Sequence, residues 1–143
     1  MKNLLLNIGK KSRNAFSKQL NSKKKNKVLK DYVQLIKNNK KKIIKENLKD
    51  IRRANQKKMK DNFIKRLILN DKKVSDIMNS IKKIIKLKDP TNVILEKWKR
   101  PNGLNISKVT IPIGVIGVIY ESRPNVTCDV ASLCFKSGNS VIL

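Results

Sequence analysis

Between Ser22 and Lys88 the apolar residues recur at three- and four-residue intervals. They form four sets: Val28, Tyr32, Leu35 and Ile36; Ile44, Leu48 and Ile51; Phe63, Leu67 and Ile68; and Val74, Ile77, Met78, Ile81 and Ile85. This spacing puts each set on one face of a helix, so the stretch predicts a layer of four helices. Lysines occupy the opposite faces, as in KKKNK at 23–27 and KKK at 40–42, and read as solvated surface. Asn70-Asp71 suits the cap of the last helix, and Asp89-Pro90 its end, because proline disfavours a helical conformation in the residue before it.

After Pro90 the pattern becomes near-alternating, VILEKWKR, then Pro101-Asn102-Gly103, then LNISKVTIP. This predicts a β-hairpin over 91–112, with Asn-Gly supplying the positive φ values of the turn and Trp98 as an anchor of the hairpin. Residues 115–120 form an apolar run, β-branched or aromatic except for Gly117, as expected of a strand buried on both faces of a parallel sheet. Pro124 suits the first position of a helix whose buried stripe is Val126, Val130, Leu133 and Cys134. Gly138-Asn139 terminates that helix, and Ser140 to Leu143 begins another strand. The expected class is therefore α/β: a helical segment over 1–90, a hairpin over 91–112 and a βαβ unit from 113 to 143. Ligands of open α/β sheets sit beyond the carboxyl ends of the strands, which puts Tyr120 to Asn125 at the ligand edge.

Composition modifies this picture less than its size implies. The chain carries 35 Lys+Arg against 10 Asp+Glu, a net charge of +25. The last 35 residues are neutral overall, so the helical segment and hairpin carry the whole excess. With 29 Lys, 17 Asn and 18 Ile but 6 Arg, the bias follows A/T-rich codon usage. A nucleic-acid site would draw on Arg for bidentate contacts and on stacking aromatics, and both are scarce. A small basic nucleic-acid-binding protein using the Lys-rich helices is the rival class, and strongly salt-dependent affinity would be its signature. The absence of His excludes histidine metal sites and histidine-dependent triads or dyads within the chain.

Cys128 and Cys134 lie six apart in one expected helix, a turn of about 600° that leaves them on different faces and unbridged. Two reduced thiols suit a cytoplasmic protein. The apolar cluster Leu4 to Leu6 plus Ile8 is too short for a signal-peptide core, and no stretch approaches a membrane span. An organelle transit peptide is the lesser alternative for this Lys-rich leader.

The turn E-S-R-P-N-V suits an anion. Backbone amides of Asn125 to Thr127 at a helix N-terminus meet negative charge, and Arg123 adds a full positive charge. The plainer alternatives are an ion pair of Arg123 with Glu121 or Asp129, and a local turn bond for Asn125. The glycines of I-G-V-I-G-V do not match G-x-G-x-x-G, so the dinucleotide fingerprint is absent.

The string PIGVIGVIYESRPNVTCDVASLCFKSGNSVIL closely resembles the early segment of γ-glutamyl phosphate reductase, also called glutamate-5-semialdehyde dehydrogenase, of the aldehyde dehydrogenase superfamily. The likeness extends to DNFIKRLIL at 61–69, IKLKDP at 85–90 and, more loosely, KNKVLKDYVQLI. The resemblance implies an aldehyde dehydrogenase-like fold whose first βαβ unit opens an NADP-binding domain at 113. It implies NADPH-dependent reduction of L-glutamyl 5-phosphate to L-glutamate 5-semialdehyde with release of phosphate, in proline biosynthesis. In that chemistry a cysteine thiolate displaces phosphate to form a thioester, which hydride reduces.

The same resemblance puts Asn125 and Arg123 near the oxyanion or substrate, and Tyr120, Glu121 and Ser122 near the cofactor. It further implies a homo-oligomer at full length and association with glutamate 5-kinase. The family continues from Leu143 into a glycine-rich loop, so the chain covers about its first third. The family's nucleophile lies further along, and neither Cys128 nor Cys134 takes its role. An N-terminal fragment of this kind is expected to be inactive alone, with exposed strand edges that favour aggregation.

Overall fold

The longest element accounts for most of the helical layer. In the computed structural model, which describes residues 2–121 and 123–143, helix α1 (Lys2–Ser17) is followed by α2 (Ser22–Gln56), a single helix of 35 residues. The first two expected helices are therefore one. No glycine or proline falls between Ser22 and Gln56, and the Asn21 side chain caps its start by accepting from the Lys24 amide at 2.9 Å. Helices α3 (Asp61–Leu67) and α4 (Asp71–Lys86) complete the layer, with Asn70 capping α4 as expected.

The inward stripe of α2 runs through Lys25, Leu29, Ile36, Asn47 and Ala54. Lys25, Ile36 and Asn47 lie eleven apart, and eleven residues make just over three turns, which keeps one face inward along the whole length. This shifts the expected stripe, since Val28, Leu35 and Leu48 face outward. Leu29 and Ile36 pack with Val74, Ile77, Ile81 and Ile84 of α4 to form the core, with Tyr32, Met78, Ile85 and Phe135 against its edge.

Two polar members of the stripe act as connectors. Lys25, in a run that reads as solvated, is 1% exposed and donates to Asp89 (3.0 and 3.2 Å) and to Thr91 Oγ1 (3.2 Å). A buried ammonium is tolerated only when paired and hydrogen-bonded, and this pair ties the start of α2 to the segment leaving α4. The Asn47 carboxamide donates to the Leu67 carbonyl (2.9 Å) and accepts from the Leu69 amide (2.7 Å). It thereby satisfies the backbone where α3 gives way to α4.

Strands β1 (Ile94–Lys99) and β2 (Asn105–Val109) form the expected antiparallel hairpin, with Trp98 opposite Ile106. The turn is a three-residue loop. The Gly103 amide bonds the Arg100 carbonyl, the Arg100 amide bonds the Leu104 carbonyl, and within the loop only Gly103 has positive φ, at +86°. Asn102 does not share that conformation, as it would in a two-residue turn. Every residue of β1 is exposed, so Trp98 packs within the hairpin rather than into the core.

Strand β3 (Val115–Gly117), α5 (Pro124–Lys136) and β4 (Ser140–Ile142) make the βαβ unit, the strands parallel with Val115 opposite Ser140 and Gly117 opposite Ile142. The first strand is shorter than the 115–120 run, although the Val118 amide still bonds the Ile142 carbonyl. It is not buried on both faces: Val115 is 37% exposed and Ile119 is fully exposed. Among the described residues this sheet has two strands, and α1 and α5 pack against it. Within α5 the buried residues are Ser132, Cys134 and Lys136. Leu133 is exposed and Val126 and Val130 half-buried, because α5 turns the face carrying Cys128, Ser132 and Phe135 toward α2 and α4.

The end of α5 joins all parts. The Lys136 ammonium, 3% exposed, donates to Asn26 Oδ1 (2.6 Å) and to the Ile85 carbonyl (3.1 Å). Gly138 has φ +74°, and a Cβ there would lie 3.1 Å from both Pro112 and Thr91 side chains. Asn139 Oδ1 accepts from the Gly114 amide at 2.8 Å.

Two outcomes are expected from these contacts. Gly138→Ala combines a left-handed conformation costing about 1–2 kcal/mol for an L-residue with the close Pro112 and Thr91 contacts. Urea unfolding should register a loss of at least that size, and an unchanged midpoint would refute the account. The second concerns Asp89. Burial pushes its carboxyl up, but hydrogen bonds from Thr91 and Lys25 outweigh this and hold it below the usual carboxylate range. Because the folded value is the lower one, its stabilisation is full above the unfolded carboxylate pKa of about 4 and disappears as pH falls through the folded value. Parent and Asp89→Asn chains should differ most in urea midpoint at neutral pH and converge in acid; a constant gap would exclude the ion pair as its source.

Candidate functional site

The turn between β3 and α5 lies at the carboxyl end of β3, as the βαβ reading requires. Tyr120 and Glu121 are exposed there, and Ser122 falls outside the described residues. Arg123 is the N-cap of α5 with φ −129° and ψ 88°, its side chain makes no capping bond, and Pro124 opens the helix. The Arg123 guanidinium is exposed and forms no ion pair with Glu121 or Asp129 among the described residues. The first turn of α5 contains no acidic residue. Its partial positive charge and that of Arg123 therefore remain uncompensated at the strand end.

The expected amide cradle is smaller than the sequence implies. The Val126 amide is taken by the Arg123 carbonyl at 3.0 Å. The Asn125 carboxamide bends back and donates to Asp129 Oδ2 at 3.4 Å, the local bond that was its plainer alternative. Tyr120 Oη is hydrogen-bonded to Thr127 Oγ1, fixing the strand end to the helix. From sequence Thr127 entered only through its backbone amide; its hydroxyl was not singled out, since a threonine one position past an apolar helix residue carries no signal of such a contact.

Neither of the two cysteines near the site is an activated thiol. Burial pushes the Cys128 thiol up, against a weaker downward effect of the hydrogen bond from Tyr32 Oη at 3.1 Å. Burial raises the Cys134 thiol too, and Tyr32 is itself raised by burial and by its bond to Cys128. Both cysteines are unbridged, as their spacing predicts. The turn thus presents an exposed guanidinium beside a helix N-terminus, two features that attract an anion. A larger cavity of about 870 Å³ lies elsewhere, walled by Phe16, Val28, Leu29 and Phe135, and none of the expected site residues lines it. Among the described residues no helix is long and apolar enough to cross a membrane.

A βαβ unit open at its strand end, backed by a helical layer and followed in space by a protruding hairpin, defines an α/β protein of the kind that binds ligands at strand termini. Comparison with known proteins is consistent and specific. The γ-glutamyl phosphate reductase of Carboxydothermus hydrogenoformans is 45% identical over 141 residues, which is 97% of this chain and 34% of that protein. That of Clostridium tetani is 42% identical over 141 residues, 97% of this chain and 33% of the relative. The crystal structure of the Thermotoga maritima γ-glutamyl phosphate reductase superposes with a TM-score of 0.92 at 37% identity, covering 96% of this chain and 34% of that one. The Saccharomyces cerevisiae structure gives 0.91 at 31% identity, covering 96% and 35%. No family model matches. By sequence and by fold the chain matches the N-terminal part of γ-glutamyl phosphate reductases. It spans about a third of the length of the curated relatives it matches.

The burial of the two thiols yields a prediction. Alkylation by iodoacetamide at pH 8 should run roughly tenfold or more slower in the native chain than in urea, because the thiolate is the reacting form. Equal rates would mean that neither cysteine is sequestered as described.

Proposed function

We propose that this chain is the part of a γ-glutamyl phosphate reductase that builds the anion-binding edge for reduction of L-glutamyl 5-phosphate to L-glutamate 5-semialdehyde with release of phosphate. The observation that carries the proposal is the 0.92 superposition on the Thermotoga maritima reductase across 96% of the chain. The uncompensated charge at the start of α5 supports it independently. Arg123 and the Asn125 carboxamide would face the phosphate and the oxyanion that forms when a thiolate adds to the acyl carbon and that collapses as phosphate leaves, each needing a donor already in place. Asn125 would do so by giving up its long 3.4 Å bond to Asp129.

NADPH is the proposed cofactor, and when bound it supplies the hydride. Tyr120, Glu121 and Ser122 are the residues proposed to lie against it. The exposure of Tyr120 and Glu121, and a first turn of α5 free of acidic side chains, fit a phosphate-bearing cofactor at this edge. Tyr120, held by Thr127 Oγ1, would give that edge a fixed wall. The catalytic cysteine is proposed to come from the remainder of the reductase, since burial keeps Cys128 and Cys134 protonated. The complete enzyme is proposed to be a cytoplasmic homo-oligomer associated with glutamate 5-kinase.

The test is a chimera in which residues 1–143 replace the corresponding part of the Carboxydothermus hydrogenoformans reductase. Phosphate-dependent reduction of NADP+ by glutamate 5-semialdehyde, the reverse reaction, should be restored. Asn125→Ala in that chimera should lower kcat by roughly 10²-fold, the usual cost of one oxyanion donor. A folded chimera without activity would defeat the proposal.

A further inference from the structure

Beside the first turn of α5 lies a second cavity, of about 390 Å³, within the range of about 300–1,000 Å³ typical of small-molecule sites. The α3–α4 region contributes Arg66, Lys73 and Asp76 to it, and α5 contributes Asn125 and Asp129. None of these charges is in an ion pair among the described residues. The Lys73 ammonium donates to the Ile68 carbonyl at 2.8 Å and the Lys65 carbonyl at 3.3 Å, which hold it in place without neutralising it. The Arg66 guanidinium lies 5.9 Å from the Phe63 ring and, among the described residues, is ion-paired with no carboxylate.

Asp129 is the counterpart. Its Oδ2 accepts only the long bond from Asn125, and its Oδ1 is shielded from solvent with no hydrogen-bond partner. An acceptor left buried and unmade is costly, and it is satisfied when a donor enters with a ligand. Two cations on one side, with Asp76 on the same helix as Lys73, face an orphaned carboxylate oxygen on the other. The ligand that complements this arrangement carries both an ammonium and a carboxylate.

We propose that this cavity binds the α-amino-acid end of the substrate, the ammonium against Asp129 and the carboxylate against Arg66 and Lys73. The assignment rests on the glutamyl phosphate reading above, and Asn125 connects the two because it belongs both to the cavity and to the anion-binding turn. The distal phosphate then lies toward Arg123, while the head group is held at the helical layer. Selection for an amino acid over a simple dicarboxylate follows, because a site built to pair an ammonium rejects a ligand lacking one.

The experiment is an amide NMR titration of the 143-residue chain with L-glutamate, glutarate, 4-aminobutyrate and inorganic phosphate. L-Glutamate should shift residues 66–73 and 125–129 saturably. Glutarate, without the ammonium, and 4-aminobutyrate, without the α-carboxylate, should bind about tenfold more weakly or less. Asp129→Asn should weaken L-glutamate by about tenfold while leaving the phosphate response of residues 125–127 in place. Arg66→Gln, at an exposed position of α3, should do the same and guards against a folding defect at Asp129. Glutarate matching L-glutamate, shifts absent from these residues, or parent-like binding by both variants would overturn the subsite. A phosphate response with indifference to L-glutamate would remove the subsite yet leave the reductase reading standing; loss of both would remove support from each.

Discussion

A buried ammonium with no carboxylate partner is the constraint on which the arrangement of parts depends. Lys136 sits at the end of α5 and bonds the side chain of Asn26 in α2 and the backbone carbonyl of Ile85 in α4. A desolvated charge is acceptable only where its hydrogens find acceptors, and these two exist only when three helices are in register. The Ile85 carbonyl lies in the last turn of α4, where the partial negative charge of the helix terminus adds to the attraction. Breaking any of the three positions strands a charge in the interior. The corner is thus more exacting than an apolar contact of the same size, which tolerates sliding.

The same corner fixes the βαβ unit. Gly138 lets the chain reverse with no room for a side chain, and Asn139 holds the Gly114 amide that leads into β3. Position of the strand end, and so of Tyr120 and Arg123, follows from these contacts two and three residues beyond α5 together with the Tyr120–Thr127 bond across the turn. Lys25 and Asp89 perform the analogous task for the helical layer, linking α2 to the start of the hairpin segment. The two buried lysines are therefore structural, while Arg123 and Arg66 remain unpaired at the surface where a ligand can reach them.

The parts of this architecture set by local periodicity were legible in the sequence. The α4 stripe, the Asn70 cap, the proline that opens α5 and the Gly138 reversal each follow from one or a few neighbouring residues. What depended on distant partners was not. Lys25 lies in a run of lysines that otherwise face water, and nothing local distinguishes it from Lys23 or Lys24; its burial follows from Asp89, 64 positions away. Two apolar sets on one 35-residue helix read as two helices, since the polar stretch Lys37 to Lys42 between them resembles a connection. The turn's geometry was partly visible: Arg123 forms no ion pair among the described residues, while the Val126 amide and Asn125 are locally engaged. Arg66 and Lys73 were hidden by the abundance of basic residues around them, and Asp129 counted only as a partner for Arg123.

Helix α1 has a different relation to the rest. It packs against β3 and β4, and the hydrogen bond from Gln19 to the Gly138 carbonyl (3.5 Å) spans 119 positions. The α2–α4 core, by contrast, closes over a few tens of residues and can assemble early, since short loops close fast and cheaply. During synthesis, α1 consequently emerges well before its docking surface, and it waits as an undocked segment until residues near 140 have followed. That delay leaves the apolar side of α1 without its partner strands while the α2–α4 core is already able to close.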